Sequence, residues 1–390
     1  MIVVIADDLT GAAEIGGTGL RYGLVPEIQT YFSSDTEADI LVIDANTRSL
    51  TSENAILETQ RILKQLKAFP IDLVYKKVDS VLRGHVLDEL QVFLTILSKK
   101  SVLLVPANPS MGKVVLQGMY WVDGKLLHET GFSQDPENSI GSSNVLELLG
   151  TSKDIHTCVL SKRQAIPLNS IVIGEAACKE DLLSWASRLQ DTLIPAGAAE
   201  FFAAILEQKK LKREPIKKGR EVCFGENALF VCGSSSQQSR EFVYEARNKG
   251  IIVCNMPSRL FYSDHVIESL LQQWVDEAVA AFEKTHWVVT AIDQPVIHNY
   301  SLSKRLRGYM AKFVKKVLQR VTVNELLIEG GATASSIVRY LQWKQFIPVQ
   351  EISPGFVRMQ LEGRGDIYLS IKPGSYKWPD SIWEHRSNLG

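Results

Sequence analysis

The feature that most constrains this chain is an alternation, run through twice, of short β-branched apolar stretches and longer amphipathic ones. In the first pass Ile2–Ala6, Ile40–Asp44, Leu73–Lys76, Ser101–Val105 and Ser170–Ile173 read as strands, with helical stretches such as Ser52–Lys67 and Leu87–Ser98 between them. Strands separated by helix-length segments imply βαβ units and a mostly parallel sheet. Residues 194–206 read as a turn around Pro195 and Gly197 and then an apolar helix. The second pass predicts strands Ala228–Cys232, Ile251–Cys254, Trp287–Ile292, Glu325–Glu329 and Ile367–Ile371, with helices from Gln237, over Ser263–Glu283 and over Ser301–Val321. In the last of these helices Leu302, Leu306, Met310, Phe313, Val317 and Val321 recur at three- and four-residue steps, which makes one buried face.

Between the two passes, seven of the twelve residues from Lys209 to Arg220 are Lys or Arg, interrupted by Pro215 and Gly219. Like charges, proline and glycine disfavour packing, so this stretch reads as a linker. A chain of 390 residues is also long for one core. The expected fold is therefore α/β in two domains, each a mostly parallel β-sheet flanked by helices. Its bounds are residues 1–208 for the first domain, 209–222 for the linker and 223–390 for the second domain.

Charge and cysteine usage narrow the function. A formal net charge of -1 argues against nucleic acid or an anionic membrane as the main partner. Five widely spaced cysteines without a Cys-x-x-Cys pair fit a reducing compartment. Met1 runs directly into a strand with no basic leader, and eighteen apolar residues never occur together, so the expected location is the cytoplasm.

Polar residues gather at the ends of the first-domain strands. Strand one ends in Asp7-Asp8-Leu9-Thr10-Gly11, strand two leads to Arg48, and strand three leads into Lys77-Val78-Asp79-Ser80-Val81-Leu82-Arg83. The crevice beyond the carboxyl ends of a parallel sheet is where ligands bind. Cations and carboxylates converging there suit a polyhydroxylated anion, with Arg and Lys for its carboxylate and Asp for its hydroxyls. Singly, each residue also reads as structure: Asp7 or Asp8 as a helix cap, Asp79 as an N-cap paired with Arg83, and Asn46, Pro106 and Pro109 as turn residues. In the second domain, strands run into Gly233-Ser234-Ser235-Ser236, Gly330-Gly331-Ala332-Thr333 and Lys372-Pro373-Gly374-Ser375. Such turns let backbone N–H groups approach phosphate, although Lys372 reads equally as a surface charge. Residues 118–126 miss the Walker spacing, the glycines at 16, 17, 19 and 23 fall within the first helix region, and His128-Glu129 lacks a zincin's second histidine. Metal ligands are not identified.

These pieces resemble the four-carbon acid sugar kinase family. The resemblance rests on Ala6-Asp7-Asp8-Leu9-Thr10-Gly11-Ala12, residues 76–84, residues 106–112, Phe132 to Pro136, Gly330 to Thr333 and Lys372-Pro373-Gly374. It implies an N-terminal sugar-acid domain, a C-terminal nucleotide domain and phosphorylation of tetronate-type acids by ATP; phosphoryl transfer of this kind is expected to use Mg²⁺ as well. It places the acid sugar against Asp8, Arg48, Lys77, Asp79, Ser80 and Arg83; Asp7, at the same strand end, is a further candidate, and the catalytic carboxylate is expected to be Asp8 or, second, Asp79. It places ATP against Ser234, Gly330, Gly331, Ala332, Thr333 and Gly374. The chain departs from the family pattern at Glu14, at Val81 and after Gly374, where Ser375-Tyr376 follows. A sugar-acid phosphatase or isomerase, and a non-catalytic sensor of sugar acid and nucleotide, are the alternatives. The expected partners are an acid sugar and ATP, with no nucleic acid or membrane, and assembly into a homo-oligomer stays open.

Overall fold

The first strand, Ile2–Ala6 (β1), is buried at every residue, as are the strands at 40–44, 101–105 and 170–174. Continuous burial of this kind requires cover on both faces of a sheet, which is why these segments are apolar runs and not alternating ones. The computed structural model describes residues 1–134, 140–211, 213, 224–233, 236–263, 265–292, 300–374 and 376–383. Its contacts divide the chain into two compact units, Met1–Ile216 and Lys217–Gly390. Of the expected linker, residue 212 and residues 214–222 lie outside the described residues.

In the first unit β1 is followed by α1 (Leu9–Arg21), β2 (Pro26–Gln29), β3 (Ile40–Asp44), a 3₁₀ turn at Thr47–Ser49 and α2 (Ser52–Leu66). The chain continues through β4 (Leu73–Lys77), α3 (Val86–Leu97) and β5 (Ser101–Val105) to a small antiparallel sheet of β6 (Lys113–Leu116), β7 (Met119–Val122) and β8 (Lys125–Leu126). After α4 (Val145–Leu149) come β9 (His156–Leu160), β10 (Ser170–Gly174), α5 (Lys179–Ala186), β11 (Leu193–Gly197) and α6 (Ala199–Gln208). Among the described residues the main strands pair in parallel in the order β2-β3-β1-β4-β11-β5-β10-β9. From β1 the chain crosses to β2, comes back to β3 between the two, and then passes to the other side of β1 with β4. That reversal makes the carboxyl ends of β1, β3 and β4 the topological switch point.

β11 corrects the turn expected at Pro195 and Gly197. The Ala198 N–H donates to Val105 O and the Val78 N–H donates to Gly197 O, so alternate residues face β5 and β4 in turn. Pro195 therefore faces β4, whose pairing with β11 begins only at Ala196↔Lys76. The missing proline N–H falls just before that ladder starts, and a central strand tolerates it. The Tyr75 hydroxyl donates to Ala198 O at 2.7 Å, with Phe201 and Phe202 packed against its ring.

The second unit carries β12 (Ala228–Cys232), α7 (Gln237–Asn248), β13 (Ile252–Asn255), α8 (Ser258–Tyr262), α9 (Glu268–Thr285), β14 (Trp287–Ala291) and α10 (Tyr300–Leu318). It closes with β15 (Glu325–Glu329), α11 (Gly331–Tyr340), β16 (Gln345–Ser353), β17 (Phe356–Leu361) and β18 (Arg364–Lys372). The helix expected over 263–283 is α9, which begins five residues later, at Glu268, and the short α8 precedes it. β13, β14, β12, β15 and β18 are parallel neighbours in that order, and β17 and β16 add an antiparallel edge. Here too the order reverses around the first strand, with β14 on one side of β12 and β15 on the other. Phe230, Phe242, Trp287 and Trp378 pack in one buried cluster, and Trp274 of α9 stacks on Phe313 of α10 at 4.0 Å between centroids.

Beneath the first switch point lies a fully buried ion pair, Lys76 of β4 with Glu89 of α3, at 2.9 Å. Glu89 also accepts from the hydroxyls of Thr47 and Thr59, which fastens the 3₁₀ turn and α2 to α3. Removing one member of a buried pair leaves an uncompensated charge and typically costs about 3–5 kcal/mol. Lys76→Met should therefore lower the stability of the chain in urea by that order, and Lys76→Met with Glu89→Leu should recover much of the loss. A single variant as stable as wild type would contradict this role.

Candidate active site

Four segments place the first group of polar side chains. Asp8 ends the extended backbone after β1 and is the N-cap of α1, its Oδ1 accepting from the Gly11 N–H at 2.7 Å and its Oδ2 from the Thr10 hydroxyl. Asp7 precedes it. After β3, left-handed Asn46 turns the chain into the 3₁₀ turn that presents Arg48. After β4, Asp79 accepts from the backbone N–H groups of Val81 and Arg83, both at 3.2 Å, which folds residues 79–83 back on themselves.

Arg48 joins these segments. Its Nε donates to Asp7 Oδ2 and its Nη1 to Asp8 Oδ2, each at 2.8 Å, and its Nη2 lies 3.4 Å from Asp79 Oδ1. Asp79 takes a second, two-pronged contact from Arg83, Nε to Oδ2 at 2.9 Å and Nη2 to Oδ1 at 2.8 Å. Burial alone would raise the Asp79 carboxyl, but the Arg83 and Arg48 guanidiniums outweigh it and hold the group well below the usual carboxylate range. Lys77 is buried, donates to Val78 O at 3.0 Å and pairs with Glu14 at 3.2 Å. Burial disfavours its charge, and Glu14, Asp7 and Asp8 more than restore it, so its pKa is raised.

The structure thus brings Asp7, Asp8, Arg48, Lys77, Asp79, Ser80 and Arg83 to one switch point. It adds residues that the strand pattern does not reveal. Lys113, at the start of β6, donates to the Ser80 hydroxyl at 3.0 Å, and burial lowers its pKa against the pull of Asp79 and Glu14. The Phe132 ring lies beneath both the Arg83 guanidinium (5.4 Å) and the Lys113 ammonium (5.6 Å). Asn108 reaches Glu14 at 3.4 Å and accepts from the Glu200 N–H at 3.2 Å. Phe132 belongs to a segment noted only through the family resemblance, and Lys113 lies one residue beyond another such segment, 106–112. The remainder of the Phe132 segment, residues 135 and 136, lies outside the described residues.

In the second unit β12 runs into Gly233 and β15 into Gly330. Ser234 and Ser375 lie outside the described residues. Gly330 has φ +92°, a conformation that glycine adopts without strain, and it caps α11, whose first turn is Gly331, Ala332 and Thr333. A Cβ at Gly233 would come within 2.3 Å of Thr333 Oγ1, so the ends of β12 and β15 approach closely. The Ser236 hydroxyl donates to Gly374 O at 3.2 Å and brings the loop after β18 to the same sheet end. Lys372 is 1% exposed, which corrects its reading as a surface charge.

Comparison with known proteins follows the same division. Residues 2–213 match the family model described as a sugar-binding N-terminal domain, and residues 229–376 match the one described as a nucleotide-binding C-terminal domain. The chain belongs to the four-carbon acid sugar kinase family. It is 23% identical to a D-threonate kinase of Salmonella typhimurium LT2, over 90% of this chain and 89% of the relative. It is also 23% identical to a 3-oxo-tetronate kinase of Haemophilus influenzae, over 96% and 97%. A D-erythronate kinase of Heliobacterium modesticaldum matches at 26% over 46% of this chain and 41% of the relative. Two solved structures share its fold, a Salmonella typhimurium LT2 protein (TM-score 0.78, 19% identity, 98% of each chain) and a Haemophilus influenzae protein (TM-score 0.71, 20% identity, 99% of each chain). No described helix is long and apolar enough to cross a membrane.

Arg48→Ala should expose how much the family's first domain depends on this clamp. Three carboxylates would be left together, at a cost of about 3–5 kcal/mol near neutral pH. The folded pKa of Asp79 is depressed, so its contribution is complete above the unfolded value, about 4, and is lost as pH falls through the folded one. The stability gap between wild type and Arg48→Ala should therefore narrow on acidification below about pH 4. Urea titrations across pH measure it, and a gap that widens in acid would contradict the assignment.

Proposed function

We propose that this chain is an ATP-dependent kinase that phosphorylates a hydroxyl of a four-carbon acid sugar such as a threonate, an erythronate or an oxo-tetronate. The observation that carries the reading is the convergence of Arg48 and Arg83 with three aspartates at the switch point of the unit that matches a sugar-binding domain. The complementary site is the glycine-turn sheet end of the unit that matches a nucleotide-binding domain.

Each group has a role that its chemistry suits. Arg83 and Lys113, both over Phe132, offer positive charge to the substrate carboxylate. Asp7 and Asp79 serve mainly to fix Arg48 and Arg83. Asp79 is a poor proton acceptor because its guanidinium partners hold it ionised. Asp8 has the most exposed side chain of the three, 12% against 3% for Asp7 and 6% for Asp79. It orients the attacking hydroxyl and accepts its proton late in transfer, a reaction that depends chiefly on positioning and charge neutralisation. The N–H groups at the start of α11, with Gly330, Gly331, Ala332 and Thr333, cradle phosphate, and Gly374 comes to the same sheet end through Ser236. Mg²⁺ is the expected companion of ATP. The three aspartates at the first site share Arg48 and Arg83, and among the described residues no group of three or more acidic, histidine or cysteine side chains is placed to hold a metal ion. No step is therefore assigned to a protein-held metal.

Incubation of the chain with ATP, Mg²⁺ and a panel of tetronates should give ADP release with one or a few of them. Asp8→Asn keeps the α1 cap, since asparagine caps as well as aspartate, while it weakens the Arg48 contact, and turnover should fall roughly 10²–10⁴-fold in a chain that still folds. Near-normal turnover in that variant would remove Asp8 from the mechanism. ADP release that no tetronate stimulates would contradict the kinase reading.

A further inference from the structure

Lys372 lies where a phosphate-binding lysine would be sought, at the end of a parallel strand beside two glycine turns. Its surroundings point elsewhere. Glu329 ends β15 and Lys372 ends β18, and the two residues face each other across that ladder. Their exposures are 0% and 1%. An ammonium has three N–H donors, and three acceptors surround this one: Glu329 Oε1 at 3.2 Å, Pro373 O at 2.9 Å and Tyr376 O. The donors are all spent within the protein.

The same pair lies among contacts that join the turns. The Gly330 N–H donates to Lys372 O at 2.8 Å, tying the start of α11 to the end of β18. Ser236, the N-cap of α7, donates to Gly374 O. The loop that Lys372 holds by its carbonyls therefore touches the segments that follow both β12 and β15. From these contacts, and resting on the kinase reading above, we propose that the buried Glu329–Lys372 pair is a positioning device that sets the three nucleotide-facing turns, with Lys372 bound to loop carbonyls and not to phosphate.

Burial pushes the Glu329 carboxyl up and the Lys372 ammonium down, each opposed by the charge of the other. Loss of either partner therefore weakens the ionisation of the one that remains, and with it the hold on Pro373 and Tyr376. A direct phosphate ligand would behave differently. Removing the carboxylate would then leave the ammonium unclaimed and keep or improve nucleotide affinity.

A double-mutant cycle separates the two. Glu329→Gln, Lys372→Met and the double variant are titrated with a fluorescent ATP analogue, and their KM values for ATP and for the acid sugar are measured. Each single variant should weaken analogue binding at least about tenfold, with the acid-sugar KM unchanged. The double variant should be no weaker than the worse single. Wild-type affinity in Glu329→Gln alongside loss in Lys372→Met would assign the lysine to phosphate and overturn the proposal. Lower melting temperatures with nucleotide affinity intact would reduce the pair to a structural role and also overturn it. Should Lys372→Met fail to fold, the near-isosteric Glu329→Gln decides by the same affinity criterion. A wild-type chain that does not bind the analogue contradicts the kinase reading itself, whereas binding by wild type and Glu329→Gln alike contradicts only the pair.

Discussion

The first site depends on one guanidinium. Arg48 reaches Asp7, Asp8 and Asp79, which arrive from the ends of β1 and β4 while Arg48 itself follows β3. Three carboxylates at such distances would repel one another in a region largely withdrawn from water. Arginine offsets them and also fixes their geometry, because its donors form a planar fork. Below it, the Lys76–Glu89 pair holds the turn that carries Arg48 through the Thr47 hydroxyl. The site is thus supported from the core outward, and its charge balance is set by parallel strands that end together.

The second unit solves a related problem with a different balance of groups. Its sheet also reverses order around its first strand, but its strand ends give way to glycines where the first unit has charged side chains. The charge at that end is withdrawn into the buried Glu329–Lys372 pair. Under the kinase reading, backbone N–H groups at that end suit phosphate, whereas the fixed side-chain charges of the first unit suit a small carboxylated polyol.

Much of this was legible in the sequence because β-branched runs ending in polar residues mark both the strands and the crevice at their carboxyl ends. Asp7, Asp8, Arg48, Lys77 and Asp79 lie within a few residues of such ends. Lys113 was not legible, since it enters from a short antiparallel sheet whose placement follows from tertiary contact with Ser80 and not from any period. β11 was missed because Pro195 is a turn signal locally, and only the late start of the β4 ladder makes it acceptable in a central strand. Lys372 looked like a surface charge because a sequence does not reveal that the strand end opposite supplies a buried carboxylate.

The central claim is that acid sugar and nucleotide are held by different units. Steady-state kinetics of Arg83→Ala and Gly331→Val, with both substrates varied, test it most directly. The account predicts that Arg83→Ala raises the acid-sugar KM and leaves the ATP KM near wild type, and that Gly331→Val does the reverse. If Arg83→Ala weakens ATP, or Gly331→Val weakens the acid sugar, by as much as the expected substrate, the division of labour is contradicted.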